Sequence, residues 1–220
     1  MGTWKLDDLP EGRETVGCKW VFVRKRDEHG NIIRYKGRLV AQGFSQKPGI
    51  DYSNDGTFAP VMWFESLCTL LALTAVQNWK LRQFDIKGAY LHGTLHETIY
   101  MRQPEGFDDG SGRVCRLIQP IYGLKQSRNI WNEEFSSTMI ELGFLQLKPD
   151  YCCFIRHKNE DFTILFVWVD DILSFLLTNS RNDRIEQELK TKFEVNSIGN
   201  FNIVLEIKFT LIFRFCKLIL

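Results

Sequence analysis

The sequence predicts an α+β domain, on three observations. Short runs rich in β-branched and aromatic residues mark strands at 19–25, 32–40, 81–86, 164–169 and 172–177. Apolar stripes at helical spacing occupy 64–78, 128–142 and 181–193. The resulting order of hairpin, helix, strand, helix, hairpin, helix and strand lacks the regular βαβ alternation of a doubly wound sheet.

Taken in order, 18–44 reads as a long hairpin closed by the turn sequence Asp27-Glu-His-Gly-Asn31. Loop signals follow at Pro48-Gly49, Asn54-Asp55-Gly56 and Pro60. Residues 64–78 carry a broad apolar stripe without Pro or Gly, which predicts a mostly buried helix. A short strand over 81–86 holds Asp85, and Gly88-Ala-Tyr-Leu-His-Gly93 is compact and turn-prone. Residues 104–112 form a polar, Gly-rich loop. The next helix places Trp131, Phe135, Met139 and Leu142 on one face, with Gly143 as its stop. Ile185, Leu189 and Phe193 repeat the pattern, and apolar residues on odd positions over 203–215 predict a strand.

At 220 residues the chain can bury a proper core, and 44% hydrophobic with 25% charged residues is ordinary for a globular protein. The formal net charge of +1 carries no global nucleic-acid signature. Its distribution says more: Lys19, Arg24, Lys25, Arg26, Arg34, Lys36 and Arg38 gather early, as a phosphate-binding patch or as a solvated strand face. Six cysteines show neither CxxC spacing nor a disulfide framework. With no signal peptide before them, they read as reduced thiols of an intracellular protein. His92 and His96 lack an evident third ligand, so zinc is rejected.

The most apolar stretch, 162–177, has Asp170 and Asp171 at its centre. It is shorter than the ~20 residues of a membrane span, and each central Asp would add roughly 2.5–3.5 kcal/mol to insertion. Two readings remain from the residues alone. One is a β-hairpin whose two-residue turn is Asp170-Asp171. The other is a metal site, because neighbouring carboxylates in apolar surroundings need a partner, and hard oxygens suit Mg²⁺.

A series of ordered motifs resembles the reverse transcriptase of Ty1/copia-type LTR retrotransposons. They are Gly17-Cys-Lys-Trp-Val-Phe, Arg34-Tyr-Lys-Gly-Arg-Leu-Val-Ala-Gln-Gly-Phe, Gly49-Ile-Asp-Tyr and Thr57-Phe-Ala-Pro-Val. They continue with Gln83-Phe-Asp-Ile-Lys-Gly-Ala-Tyr-Leu-His-Gly, Ile99-Tyr-Met-Arg-Gln-Pro-Glu-Gly-Phe, Ile121-Tyr-Gly-Leu-Lys-Gln and Val167-Trp-Val-Asp-Asp-Ile-Leu. Trp168 stands where the family usually has Tyr, and no ribonuclease H domain follows in the sequence.

The resemblance implies an α+β, right-hand polymerase fold with palm and fingers, truncated with little or no thumb. The domain would cover 4–207, with fingers over 17–60, palm over 61–207 and a divergent apolar tail over 208–220. It implies RNA-directed and DNA-directed DNA synthesis with two Mg²⁺ ions, in which Asp85 and Asp170 bridge the metals and Asp171 supports the primer-side site. Tyr90 would exclude a ribose 2′-hydroxyl, and Lys36 and Arg38 would grip the triphosphate. Gly123 and Lys125 would line the nucleotide and template side. The implied partners are an RNA or DNA template with primer, dNTPs and other parts of a Pol polyprotein, with no membrane. A second expectation, from a different class, is a decayed copy that keeps the fold and nucleic-acid binding without catalysis.

Overall fold

The structure is a computed structural model, and it describes residues 2–27, 29–158, 161–176, 179–200, 203–204, 207–212 and 215–218. The elements up to the second helix are β1 (Trp4–Asp7), β2 (Cys18–Arg26), β3 (Ile32–Ala41), α1 (Phe64–Gln77), β4 (Lys80–Ile86), β5 (Tyr100–Met101), β6 (Val114–Leu117) and α2 (Ser127–Glu141). The chain continues through β7 (Leu145–Gln146), β8 (Cys153–Lys158), β9 (Asp161–Trp168), β10 (Asp171–Leu176), α3 (Asn179–Lys190), β11 (Val195–Asn200), β12 (Ile203–Val204), β13 (Ile207–Ile212) and β14 (Phe215–Leu218). All ladders between these strands are antiparallel, and helices and sheets are mixed as the α+β reading expects. Two compact units emerge, 1–59 with 90–131 and 60–89 with 132–220.

In the first unit β2 and β3 form the expected hairpin. Its turn is locked by Asp27, whose carboxylate accepts from the Asn31 backbone N–H at 2.8 Å and the Asn31 side-chain amide at 3.0 Å. These donors, the Asn31 side chain first, hold the Asp27 carboxyl below the usual range. The sheet β1-β6-β5 packs a core of Val16, Ala41, Ile99, Met101, Cys115, Leu117, Ile121 and Leu124. The loop over 43–60 contains two single 3₁₀ turns, Gly43–Ser45 and Asn54–Thr57.

The second unit is built on the sheet β11-β4-β10-β9-β8-β7. One of its faces packs Leu81, Cys153, Ile164, Phe166, Leu173 and Phe175 against Leu67, Leu70 and Leu71 of α1. On the other face, Phe135 of α2 stacks on Phe193 with centroids 5.9 Å apart and meets Phe154 edge-on at 5.6 Å. Arg82 of β4 pairs on that side with Asp183 and Glu186 of α3.

Two expectations are corrected. Helix α1 is buried along one stripe only, while Phe64, Leu73 and Val76 are exposed, because it covers a single sheet face. The strand expected over 203–215 is divided into β12, β13 and β14, which pair antiparallel in turn. A period of two continues through such reversals, so alternation alone could not locate them. Asn78 ends α1 in the left-handed region at φ 53° and its N–H reaches Thr74 O. Among the described residues, no helix is long and apolar enough to cross a membrane.

Replacing Phe135, 1% exposed, by Ala is expected to lower the unfolding free energy by about 3–5 kcal/mol, read by urea titration. Burial pushes the Cys152 and Cys153 thiols up to about 12 and Cys115 up to about 11. These three should therefore react with a thiol reagent at pH 8 at least about 100-fold more slowly in native than in urea-unfolded protein, measured by peptide mass spectrometry.

Candidate active site

Cross-strand register assembles the carboxylates. In β10, Asp171 lies directly opposite Asp85 of β4, and Asp85 in turn lies opposite Asn196 of β11. Asp171 also pairs with Trp168 of β9. Asn196, Asp85, Asp171 and Trp168 thus form one row across four strands, on the same sheet face as α1. The next row along that face holds Gln83, Leu173, Phe166 and Cys153. The carboxylates therefore sit where an apolar face gives way to polar groups.

Asp170 occupies the turn beside this row, and its backbone carbonyl accepts from the Ile86 N–H at 2.8 Å. The hairpin differs here from the sequence expectation. Its two turn residues are Val169 and Asp170, and Asp171 is already the first residue of β10. Val169 takes φ 54°, a left-handed conformation that normally selects Gly at the first position of a II′ turn. Residue preference favoured Asp-Asp as the turn, but pairing of Asp171 with both Asp85 and Trp168 overrides it.

Each facing carboxylate has an amide donor. Buried Gln83 donates from Nε2 to Asp171 Oδ1 at 2.9 Å, and Asn196 Nδ2 approaches Asp85 Oδ2 at 3.4 Å. Just beyond the strand, Lys87 pairs with Glu194. The donor set suits a hard divalent cation: like charges placed directly opposite repel, and oxygen-bound Mg²⁺ would remove that repulsion. Among the described residues no three His, Cys, Asp or Glu side chains already converge into a ligand cluster. The two facing carboxylates are built into the sheet, while Asp170 comes from the turn.

The remaining candidates belong to the first unit. In the hairpin, Val21, Val23 and Lys25 pair with Arg38, Lys36 and Arg34. Lys19 pairs with Val40 in the same alternation, so these five cations share one face of the ribbon. The other face carries aromatic rings together with Arg24, which pairs with Tyr35: Trp20 stacks on Phe22 at 6.2 Å, and Tyr35 is exposed. The Arg38 guanidinium lies over the Tyr122 ring at 4.5 Å, and Tyr90 meets that ring with centroids 4.5 Å apart. Tyr90 itself is buried.

Gly123 has φ 93°, and a Cβ there would come within 2.1 Å of Ala41 O. Its immediate environment is thus a close backbone approach that only glycine permits. Lys125 donates from Nζ to Tyr52 OH at 2.7 Å, and its N–H donates to Gln46 Oε1 at 2.8 Å. Gln46 belongs to a buried network in which its Nε2 reaches Gln126 Oε1 at 2.9 Å and Gln126 Nε2 reaches Asp51 O at 2.7 Å.

Sequence reading missed Gln83, Asn196 and Tyr122. Gln83 had a usable signal, since two residues before Asp85 on a strand is the same face. Tyr122 lies in the motif Ile121-Tyr-Gly-Leu-Lys-Gln beside Gly123, which was its signal. Asn196 had none, because its neighbours come from distant segments.

A model of the family described as reverse transcriptase (RNA-dependent DNA polymerase) matches residues 1–219. The chain belongs to this family. A retrovirus-related Pol polyprotein from the transposon TNT 1-94 of Nicotiana tabacum is 39% identical over 94% of this chain and 16% of its own length. The Ty1-DR4 Gag-Pol polyprotein of Saccharomyces cerevisiae is 31% identical over 90% of this chain and 12% of its own length. The chain thus spans under a fifth of these relatives, as a reverse transcriptase domain of the Ty1/copia type. Apo telomerase from Candida tropicalis, truncated from its C-terminal domain, aligns with 97% of this chain and 56% of that chain at TM-score 0.47 and 12% identity.

Val169 holds its left-handed φ of 54° against the preference of a β-branched residue. Val169→Gly is expected to raise the unfolding free energy by about 0.5–1 kcal/mol, the relief being partly offset by unfolded-chain entropy. A lower urea midpoint would contradict the strain.

Proposed function

We propose that this chain copies an RNA or DNA template into DNA by adding dNTPs to a primer 3′-hydroxyl. The observation that carries the reading is the register that sets Asp85 opposite Asp171. Asp85, Asp170 and Asp171 would hold two Mg²⁺ ions, which when bound stabilise charge on the attacking and leaving oxygens. Gln83 keeps Asp171 oriented through its 2.9 Å hydrogen bond.

The other assignments follow the same reading. Lys36 and Arg38 bind the triphosphate from the cationic face of the hairpin, where charge-assisted donors are strong. Tyr90 bars a ribose 2′-hydroxyl, and Gly123 and Lys125 line the nucleotide and template side. The fingers comprise 17–60 and the palm 61–207, with 208–220 as a tail. Template and primer bind chiefly through phosphates, so affinity falls as salt rises. The other parts of a Pol polyprotein are further partners of the chain.

Primer extension on poly(rA)/oligo(dT) with Mg²⁺ tests the reading. Asp170→Asn, Asp85→Asn and Asp171→Asn should each lower incorporation by at least about 100-fold, with chelation by EDTA abolishing it. Equal incorporation by the parent chain and Asp170→Asn would instead mark a copy that keeps the fold without the chemistry.

A further inference from the structure

We propose that Tyr122 is a positioning residue for sugar selection: its ring braces the Tyr90 ring and the Arg38 guanidinium together. The inference rests on the reading of Tyr90 as sugar gate and Arg38 as triphosphate donor given above.

The geometry is direct. The Tyr122 ring meets Tyr90 at a centroid distance of 4.5 Å with planes inclined by 55°, and the Arg38 guanidinium carbon lies 4.5 Å from the Tyr122 centroid. Tilted aromatic contact and cation–π contact are both attractive and directional. One ring therefore links the group that would exclude a hydroxyl to the group that would hold phosphate.

The backbone bearing this ring is held tightly. Ala41 N–H donates to Tyr122 O at 2.7 Å. At the next residue, Gly123, a Cβ would meet Ala41 O at 2.1 Å and Val40 Cγ1 at 2.7 Å. From the facing segment, a Cβ on Gly43 would come 2.1 Å from Gly123 O. Two glycines thus bring the backbones together beside Tyr122, and Arg38 stands on the same strand that ends at Ala41. The fixed strand end, the Tyr122 ring and the Tyr90 ring form a continuous mechanical path.

A gate discriminates only as well as its ring edge is held in place, since small displacements of a positioned group have large kinetic effects. Tyr90 lies in the short 3₁₀ turn Ala89–His92, which offers little rigidity of its own. The Tyr122 ring supplies a wall against which Tyr90 rests. The contacts with Tyr90 and Arg38 are made by the ring, which Phe keeps, so Phe should serve in its place.

The test compares the parent chain, Tyr122→Phe, Tyr122→Leu and Tyr90→Ala in single-nucleotide primer extension with dNTP and the matching rNTP. The readout is the ratio of kcat/KM for the two sugars. Tyr122→Leu should lower the ratio by about 10-fold and raise KM for both nucleotides through Arg38, while Tyr122→Phe stays within about 2-fold of the parent. Tyr90→Ala should lower the ratio further. A parent-like ratio in Tyr122→Leu alongside a collapsed ratio in Tyr90→Ala overturns the positioning role and leaves the gate reading intact. A parent-like ratio in Tyr90→Ala overturns the gate reading, and this inference with it. Fluorotyrosine NMR provides a readout without turnover: the Tyr90 resonance should shift in Tyr122→Leu and hold in Tyr122→Phe. An unmoved Tyr90 resonance in folded Tyr122→Leu overturns the proposal.

Discussion

The antiparallel register of β4 against β10 is the constraint on which the second unit depends. With Asp85 opposite Asp171, the odd-numbered residues of both strands face α1, and Leu81, Leu173 and Phe175 join the core beneath it. Phe84, Ile86, Ile172 and Leu176 point to the other face, all at most 1% exposed. A slip by one residue would exchange the faces of one strand. It would push a carboxylate among those buried side chains and bring an apolar residue to the candidate site. Hydrophobic sorting of the two faces thus fixes the position of the acids without any direct attraction between them.

The first unit depends on a different kind of constraint, the approach of two backbones. Gly43 and Gly123 permit the segment 121–124 to close on the end of β3, where Ala41, Ile121 and Leu124 share a core. Close approach also gives the buried amides of Gln46 and Gln126 their partners, so desolvated polar groups are satisfied rather than orphaned. A side chain at either glycine would separate the strand end from the segment and leave those amides unpaired at once. Local backbone freedom and the polar network are therefore parts of one device.

Most elements were legible because their cues are local. The Asp27–Asn31 turn, the stripe of α1 and the glycine stop at Gly143 are each written within a few neighbouring residues. The family motifs added Asp85 to the Asp170-Asp171 pair, which no local cue could do. The turn residues of the β9–β10 hairpin were misplaced because they are set by ladders on both sides of β10. Residue preference places Val in strands and Asp in turns. One-sided burial of α1 was also hidden, since the sequence does not state how many sheets a helix covers. Contacts such as Arg38 with Tyr122 join segments far apart in the chain, where spacing carries no signal.

Val169 shows how these levels interact. Were Asp170 and Asp171 both in the turn, as composition favours, neither would enter the ladder opposite Asp85. Moving the turn back by one residue places Asp171 in the row and leaves Asp170 at the apex, but forces a β-branched residue to φ 54°. That conformation costs of order 1–2 kcal/mol for an L-residue. It persists because its surroundings over-determine it: Asp171 is paired on both sides, Gln83 holds its carboxylate, and Ile86 N–H holds the Asp170 carbonyl. The same bonds that orient two acidic residues also absorb the strain of presenting them. Loss of Gln83 would therefore act twice, by freeing the Asp171 carboxylate and by weakening the frame that keeps Val169 left-handed.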